Sequence, residues 1–252
     1  MLVAAAVCPC PPVLVPEVAA GAAPELDAAR EACDEALSAL LAAAPQRVVV
    51  VGQGTRDARH EAGSRGSFRP FGVDVEVALG AAPGSGAPVL PPSLSVGAWL
   101  LARVGWEGPV LGLEVAPDRS GPATDVTDLA SPADRVGLLV MGDGTACRSV
   151  KAPGYLDERA EGVDARIAEA LRTGDRDGYL ARLDAGLAAE LKISGRAPWQ
   201  LLSAAWAAGH DAAWGAGHDA TLAADRDGDK GTSRLLYEDA PYGVGYFVAS
   251  WT

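Results

Sequence analysis

Four apolar runs constrain the fold more than any other feature of this chain. LVAAAV (Leu2 to Val7), RVVVVG (Arg47 to Gly52), Val110 to Val115 and Val136 to Met141 are short, rich in Val and Leu, and continuous rather than alternating. A strand with one face in water alternates apolar and polar side chains, so a continuous run needs cover on both faces. Between the first two runs, from about Glu25 to Ala43, Leu26, Cys33, Leu37, Leu40 and Leu41 recur at helical spacing. Strand, helix, strand is the pattern of a parallel sheet with crossover helices. The expectation is a three-layer α/β fold, a mostly parallel central sheet with helices on both faces. At 252 residues the chain suits one large domain, 1–252, better than two small ones.

The remaining segments fall between and after these strands. FGVDVEVALG (Phe71 to Gly80) alternates Val73, Val75 and Val77 with Asp74 and Glu76, a half-exposed strand. Ala81 to Pro92 reads as a loop, with Ser93 or Ser95 capping a helix through Trp99 to Val104. Tyr155 to Ala208 is helical in pattern, with breaks near Gly174, Gly186 and Gly195, and Pro198 suits a first helical turn. Two short strands, Arg234 to Tyr237 and Val244 to Trp251, close the chain around APYG. Residues 209–233 form a biased insertion, expected to be exposed and dispensable for folding, in which WAAGHDAA is echoed by WGAGHDAT. Its His210 and His218 each precede an Asp, but the Ala/Gly-rich setting favours surface decoration. DRDGDKG has the first carboxylate spacings of a calcium loop, yet Lys230 and Leu236 stand where Gly and Glu belong. A solvated acidic turn is the better reading.

A net charge of −12 would repel both a nucleic-acid backbone and an anionic membrane. A small-molecule ligand or a protein partner fits instead, and a homodimer is compatible with this surface. No run approaches the roughly 20 apolar residues of a membrane span, and Met1-Leu2-Val3 lacks a basic leader, so a cytoplasmic protein is expected. Four cysteines in a chain this long read as thiols rather than a disulfide framework, with Cys33 as plain core packing.

In open α/β sheets ligands sit beyond the carboxyl ends of the strands. Three such ends are unusual here: VCPCPP, VGQG and MGDGTAC. Cys10, Gln53 and Asp143 are therefore expected to converge on one pocket, with Glu238 or Tyr242 at its edge and Cys8 and Thr145 among its walls. Cys8 and Cys10 lie two apart and Cys147 ends a third strand, so three thiolates suited to zinc or Cu(I) are one reading, and small buried core residues the other. His60, in RDARHEAG, reads either as a solvated loop residue or as a group swung into the crevice. Asp143 either contacts a ligand or binds backbone amides of its own turn.

LVAAAVCPCPPVLVPEVA, GDGTACRSVKAPGYLDERA, RAPWQLL and LLYEDAPYGVGYFVASW together resemble the class III extradiol ring-cleavage dioxygenases. The likeness is to their actinobacterial LigB-like branch, a neighbour of the Memo-like proteins, and it spans nearly the whole chain outside the insertion. It implies an α/β fold and, in active members, Fe(II) held by two His and one carboxylate, with a further His as acid/base. Carried over by position, the first ligand is Cys10, the second falls in the Gly52-Gln53-Gly54 turn, and the acid/base His is Ala146. Glu238 is the nearest candidate for the carboxylate. The resemblance thus implies a dioxygenase-like protein with a degenerate metal site, in which Cys10 and Glu238 would be the remaining ligands and Asp143, Glu238 and His60 the groups left for chemistry. A non-catalytic Memo-like binding protein and a cysteine-based metal-binding protein are the alternatives.

Overall fold

The computed structural model describes residues 1–81, 86–119, 134–215 and 232–252. Its strands are β1 (Leu2–Cys8), β2 (Arg47–Gln53), β3 (Ala58–Glu61), β4 (Arg65–Ser67), β5 (Glu76–Ala78), β6 (Val110–Val115), β7 (Val136–Met141), β8 (Ser233–Asp239) and β9 (Tyr246–Trp251). The helices are α1 (Pro16–Ala19), α2 (Asp27–Ala42), α3 (Pro92–Arg103), α4 (Arg159–Thr173), α5 (Ala185–Glu190) and α6 (Arg196–Gly215).

Seven strands form one sheet in the order β3-β6-β2-β7-β1-β9-β8. The central four, β6, β2, β7 and β1, are parallel, and antiparallel strands complete both edges. The four expected apolar runs are these central strands, and every residue of β6 and β7 is buried. Their side chains divide between two cores. Val7, Val49, Val51, Leu138 and Val140 meet α4, α5 and α6 on one face, and Ala6, Val48, Val50, Leu139 and Met141 meet α2 and α3 on the other. Each fully buried Val or Leu contributes about 1.5–3 kcal/mol of transfer free energy, which is why these runs carry no polar alternation.

The parallel register brings the carboxyl ends level. Cys8 and Gly52 both stand opposite Met141, and Gly52 also stands opposite Glu114. Whatever follows these strands therefore emerges along one rim.

Several local expectations need correction. The alternating stretch after Phe71 is a strand only over Glu76–Ala78, paired with β4 in a separate two-stranded ribbon. A 3-10 turn at Arg69–Phe71 precedes it. Ser93 and Ser95 lie inside α3 rather than capping it. Pro91 holds the cap position, while Ser93 donates to the Gln53 carbonyl and Ser95 to the Pro91 carbonyl. Gly186 lies within α5, because Asp184 caps that helix through the Leu187 amide. Finally, α6 runs into the supposed insertion as far as Gly215 and includes His210, while His218 and the acidic stretch at 225–231 lie outside the described residues.

Candidate functional site

The first strand ends because Pro9, Pro11 and Pro12 cannot donate to a ladder, and Pro12 opens a 3-10 turn over Pro12–Leu14 instead. Cys10 is the only residue among these four able to donate a backbone hydrogen bond, and its N–H reaches the Asp143 Oδ1 at 2.8 Å. Asp143 follows β7, and its own N–H donates to Ser194 Oγ at 3.0 Å while its carbonyl accepts from the Gly195 amide at 2.9 Å. The Cys10 Sγ stands 3.7 Å from Asp143 Oδ2 and 4.0 Å from Ser194 Oγ. Gly142 makes this closeness possible, since a Cβ there would lie 2.4 Å from the Gly195 Cα. Cys10 and Asp143 thus meet as expected, joined by Ser194, which nothing in the sequence singled out.

The electrostatics follow from burial against few donors. Desolvation raises the Asp143 carboxyl to about 6, and the Cys10 amide and thiol only partly offset it. Burial and the neighbouring Asp143 carboxylate push the Cys10 thiol well up, so it is held as a thiol rather than a nucleophilic thiolate. Burial likewise raises Tyr246, which stands beside this pair.

Gln53 ends β2 and lies on the wall of a depression of about 240 Å³, together with Pro117, Ala188, Lys192, Ile193 and Ser194. Ser194 is therefore shared between this depression and the Cys10–Asp143 contact. The three strand ends lie along one rim, but neither Cys10 nor Asp143 lines the depression that holds Gln53. The expected convergence of all three on one pocket is therefore corrected: Asp143 and Cys10 close on each other and on Ser194 instead.

The other candidate residues lie elsewhere. Cys8 is fully buried in the α2/α3 core, where the adjacent Cys33 thiol and burial push its own thiol up. Cys147 belongs to the opposite core and donates to the Leu191 carbonyl. The three-thiolate reading is thereby corrected, since the sheet separates Cys147 from Cys8 and Cys10. Thr145 is not a pocket wall; it is buried, and its N–H and hydroxyl both donate to Asp164, at 2.9 and 2.8 Å. Glu238 sits on the edge strand β8, half in solvent, 3.5 Å from Arg172. It lines a second cleft of about 400 Å³ with Arg148, Ser149, Asp239, Gly243 and Phe247, and does not join Cys10. The Tyr242 hydroxyl faces Glu25, and burial followed by that carboxylate raises it. Neither residue borders the depression that holds Gln53.

His60 is neither a solvated loop residue nor a crevice ligand. It lies on β3, 5% exposed, with Nε2 3.0 Å from Glu114 Oε2. The other oxygen of Glu114 accepts from the Thr55 and Arg56 amides at 2.8 and 3.3 Å. Burial works to raise Glu114, but these partners, the His60 bond foremost, leave it lowered on balance. A Cβ at Gly54 would lie 2.1 Å from Glu114 Oε1, so only glycine admits the carboxylate against this turn. Glu114 clamps the turn after Gln53, and the visible signal was a lone carboxylate in the apolar run VLGLEV.

The donor set does not fit facial-triad iron, which needs two imidazoles and a carboxylate on one face of the ion. Cys10, Gln53 and Ala146 supply no imidazole, His60 is taken up by Glu114, and Glu238, on the edge strand β8, pairs with Arg172. Among the described residues no three His, Cys, Asp or Glu side chains come together in a group able to hold a metal.

Fold and site together define a mixed α/β protein with a polar rim at the carboxyl ends of its central strands. A scan of protein-family models and a search of curated proteins both find no match to this chain.

Proposed function

We propose that the chain is a class III extradiol dioxygenase-like protein that has lost the iron site and binds a small molecule at the strand-end rim. The supporting observation is the Cys10–Asp143–Ser194 contact. Where the resemblance implies the first iron ligand, the Cys10 amide and thiol are both taken up by Asp143. Such a cluster rigidifies the turns and leaves the Gln53 depression open beside it. Ala146 can move no proton, and a positioned acid/base is worth on the order of a hundredfold or more in rate. Asp143 is the group in the cluster whose pKa suits proton transfer, yet its oxygens face Cys10.

Anaerobic incubation with Fe(II), followed by metal quantification and a colorimetric assay for ring-opened product over a panel of catechols, tests the reading. The expected outcome is substoichiometric iron and no steady turnover. Stoichiometric iron with turnover abolished by Glu238→Ala would overturn it.

A further inference from the structure

We infer that the outer edge of β3 is a docking surface for a second copy of this chain. Two β3 strands pair antiparallel about a two-fold axis at His60, so that Arg59 of each protomer faces the partner's Glu61. β3 closes one side of the seven-stranded sheet, and among the described residues no strand pairs with its outer side. An edge strand directs alternate backbone N–H and C=O groups outward, where another strand can take them up.

The strand ARHE is short and polar, and a buried side chain fixes its centre. His60 Nε2 is bonded to Glu114 at 3.0 Å, so the edge is held in place before any partner arrives. Arg59 and Glu61 flank His60, both exposed, and strand alternation puts them together on the face away from it. Neither side chain has an ion-pair or hydrogen-bond partner among the described residues. The nearby charges on the β4–β5 ribbon are satisfied among themselves, Arg65 by Glu76 and Arg69 by Asp74. The edge thus carries one cation and one anion that nothing within the described chain neutralises.

A second copy neutralises both. With the two-fold axis at His60, Arg59 stands directly opposite the partner's Glu61 and Glu61 opposite the partner's Arg59, with Cβ atoms about 4.5–5.5 Å apart. A register centred on Arg59 or on Glu61 would set like charges against each other, so charge selects a single register. The contact is neutral overall, which lets two chains of net charge −12 approach there. The opposite edge of the sheet is less suited. On β8 the pairing with β9 shifts register between Leu235 and Tyr237, an irregularity that disrupts a flat edge, and Arg234 and Glu238 already pair with Glu35 and Arg172. Four residues make a small contact, so the dimer forms in a concentration-dependent way.

The test is sedimentation velocity of the whole chain over a concentration series at about 0.15 M salt, where repulsion beyond about 8 Å is screened. The native chain is expected to pass from monomer to dimer as concentration rises. Arg59→Glu and Glu61→Arg each make both facing pairs repulsive, and each should weaken self-association by roughly tenfold or more. Mixed in equal amounts, the two variants place opposite charges at both positions again and should form a heterodimer. The double variant Arg59→Glu/Glu61→Arg should recover the homodimer. Both positions are exposed, so the variants are expected to fold, and association in the mixture shows that they have. A chain that stays monomeric at every concentration would overturn the inference, as would a dimer insensitive to either swap. Single variants that dissociate, with no association in the mixture and no recovery in the double variant, would overturn the pairing of Arg59 with Glu61. Loss of the dimer in Arg234→Glu alone would place the contact on β8 and overturn it as well.

Discussion

Asp143 and Glu114 stand at the same end of one sheet, two strands apart, and their carboxyls are driven in opposite directions. Asp143 receives one backbone amide, at 2.8 Å, and a thiol at 3.7 Å, and is raised to about 6. Glu114 receives two backbone amides and His60, and is lowered. Both carry a desolvation penalty, so the difference lies in how many strong donors meet the charged form. Glu114 is a structural anion holding a turn. Asp143 is a group kept close to its proton, enclosed by Cys10 and Ser194.

The largest expected effect comes from emptying the better-satisfied end. Glu114→Ala leaves the Thr55 and Arg56 amides and His60 without their acceptor, and should cost about 3 kcal/mol by urea denaturation. A loss below about 1 kcal/mol would mean that water replaces the carboxylate freely, and the contrast with Asp143 would dissolve.

Next is the pH dependence, where the two groups have opposite signs. Asp143 binds its proton more tightly folded than unfolded, so its contribution to stability declines as pH rises from its ordinary 3.8 to about 6. Glu114, being lowered, contributes stability above its ordinary 4.5 that is lost as pH falls. Asp143→Asn should therefore gain on the parent protein between about pH 4 and 6, by roughly 1–2 kcal/mol after discounting for solvent screening. Unfolding midpoints taken at intervals across that range and at neutral pH measure this. A constant offset between the two proteins would show that Asp143 does not titrate in that window.

The smallest effect is at the thiol. Cys10→Ala keeps the backbone bond to Asp143 and should cost about 1 kcal/mol or less. In the native protein near neutral pH, Cys10 should be alkylated by iodoacetamide far more slowly than a free thiol, since burial and Asp143 oppose the thiolate. Rapid labelling would mean that the cluster opens readily.

The central strands were legible because burial on both faces writes itself into sequence as unbroken Val and Leu. The edge strands were not. ARHE and RGS are polar and three or four residues long, and their pairing is decided by partners far along the chain. That is why His60 looked like a loop residue. The meeting of Cys10 with Asp143 followed from the parallel topology, whereas Ser194 and Lys192 arrive from the turn before α6, with no periodicity to announce them. Glu238 was misplaced for a related reason. The resemblance pointed to it as the nearest C-terminal carboxylate, but β9 lies between β8 and β1.

The turns at the rim are tied by their main chain. Gly142 donates to the Cys8 carbonyl, Gly195 to the Asp143 carbonyl, and the Cys10 amide reaches across to Asp143. None of these bonds uses the side chain of residue 10. That position is therefore a socket whose occupant can be exchanged one mutation at a time without loosening its housing.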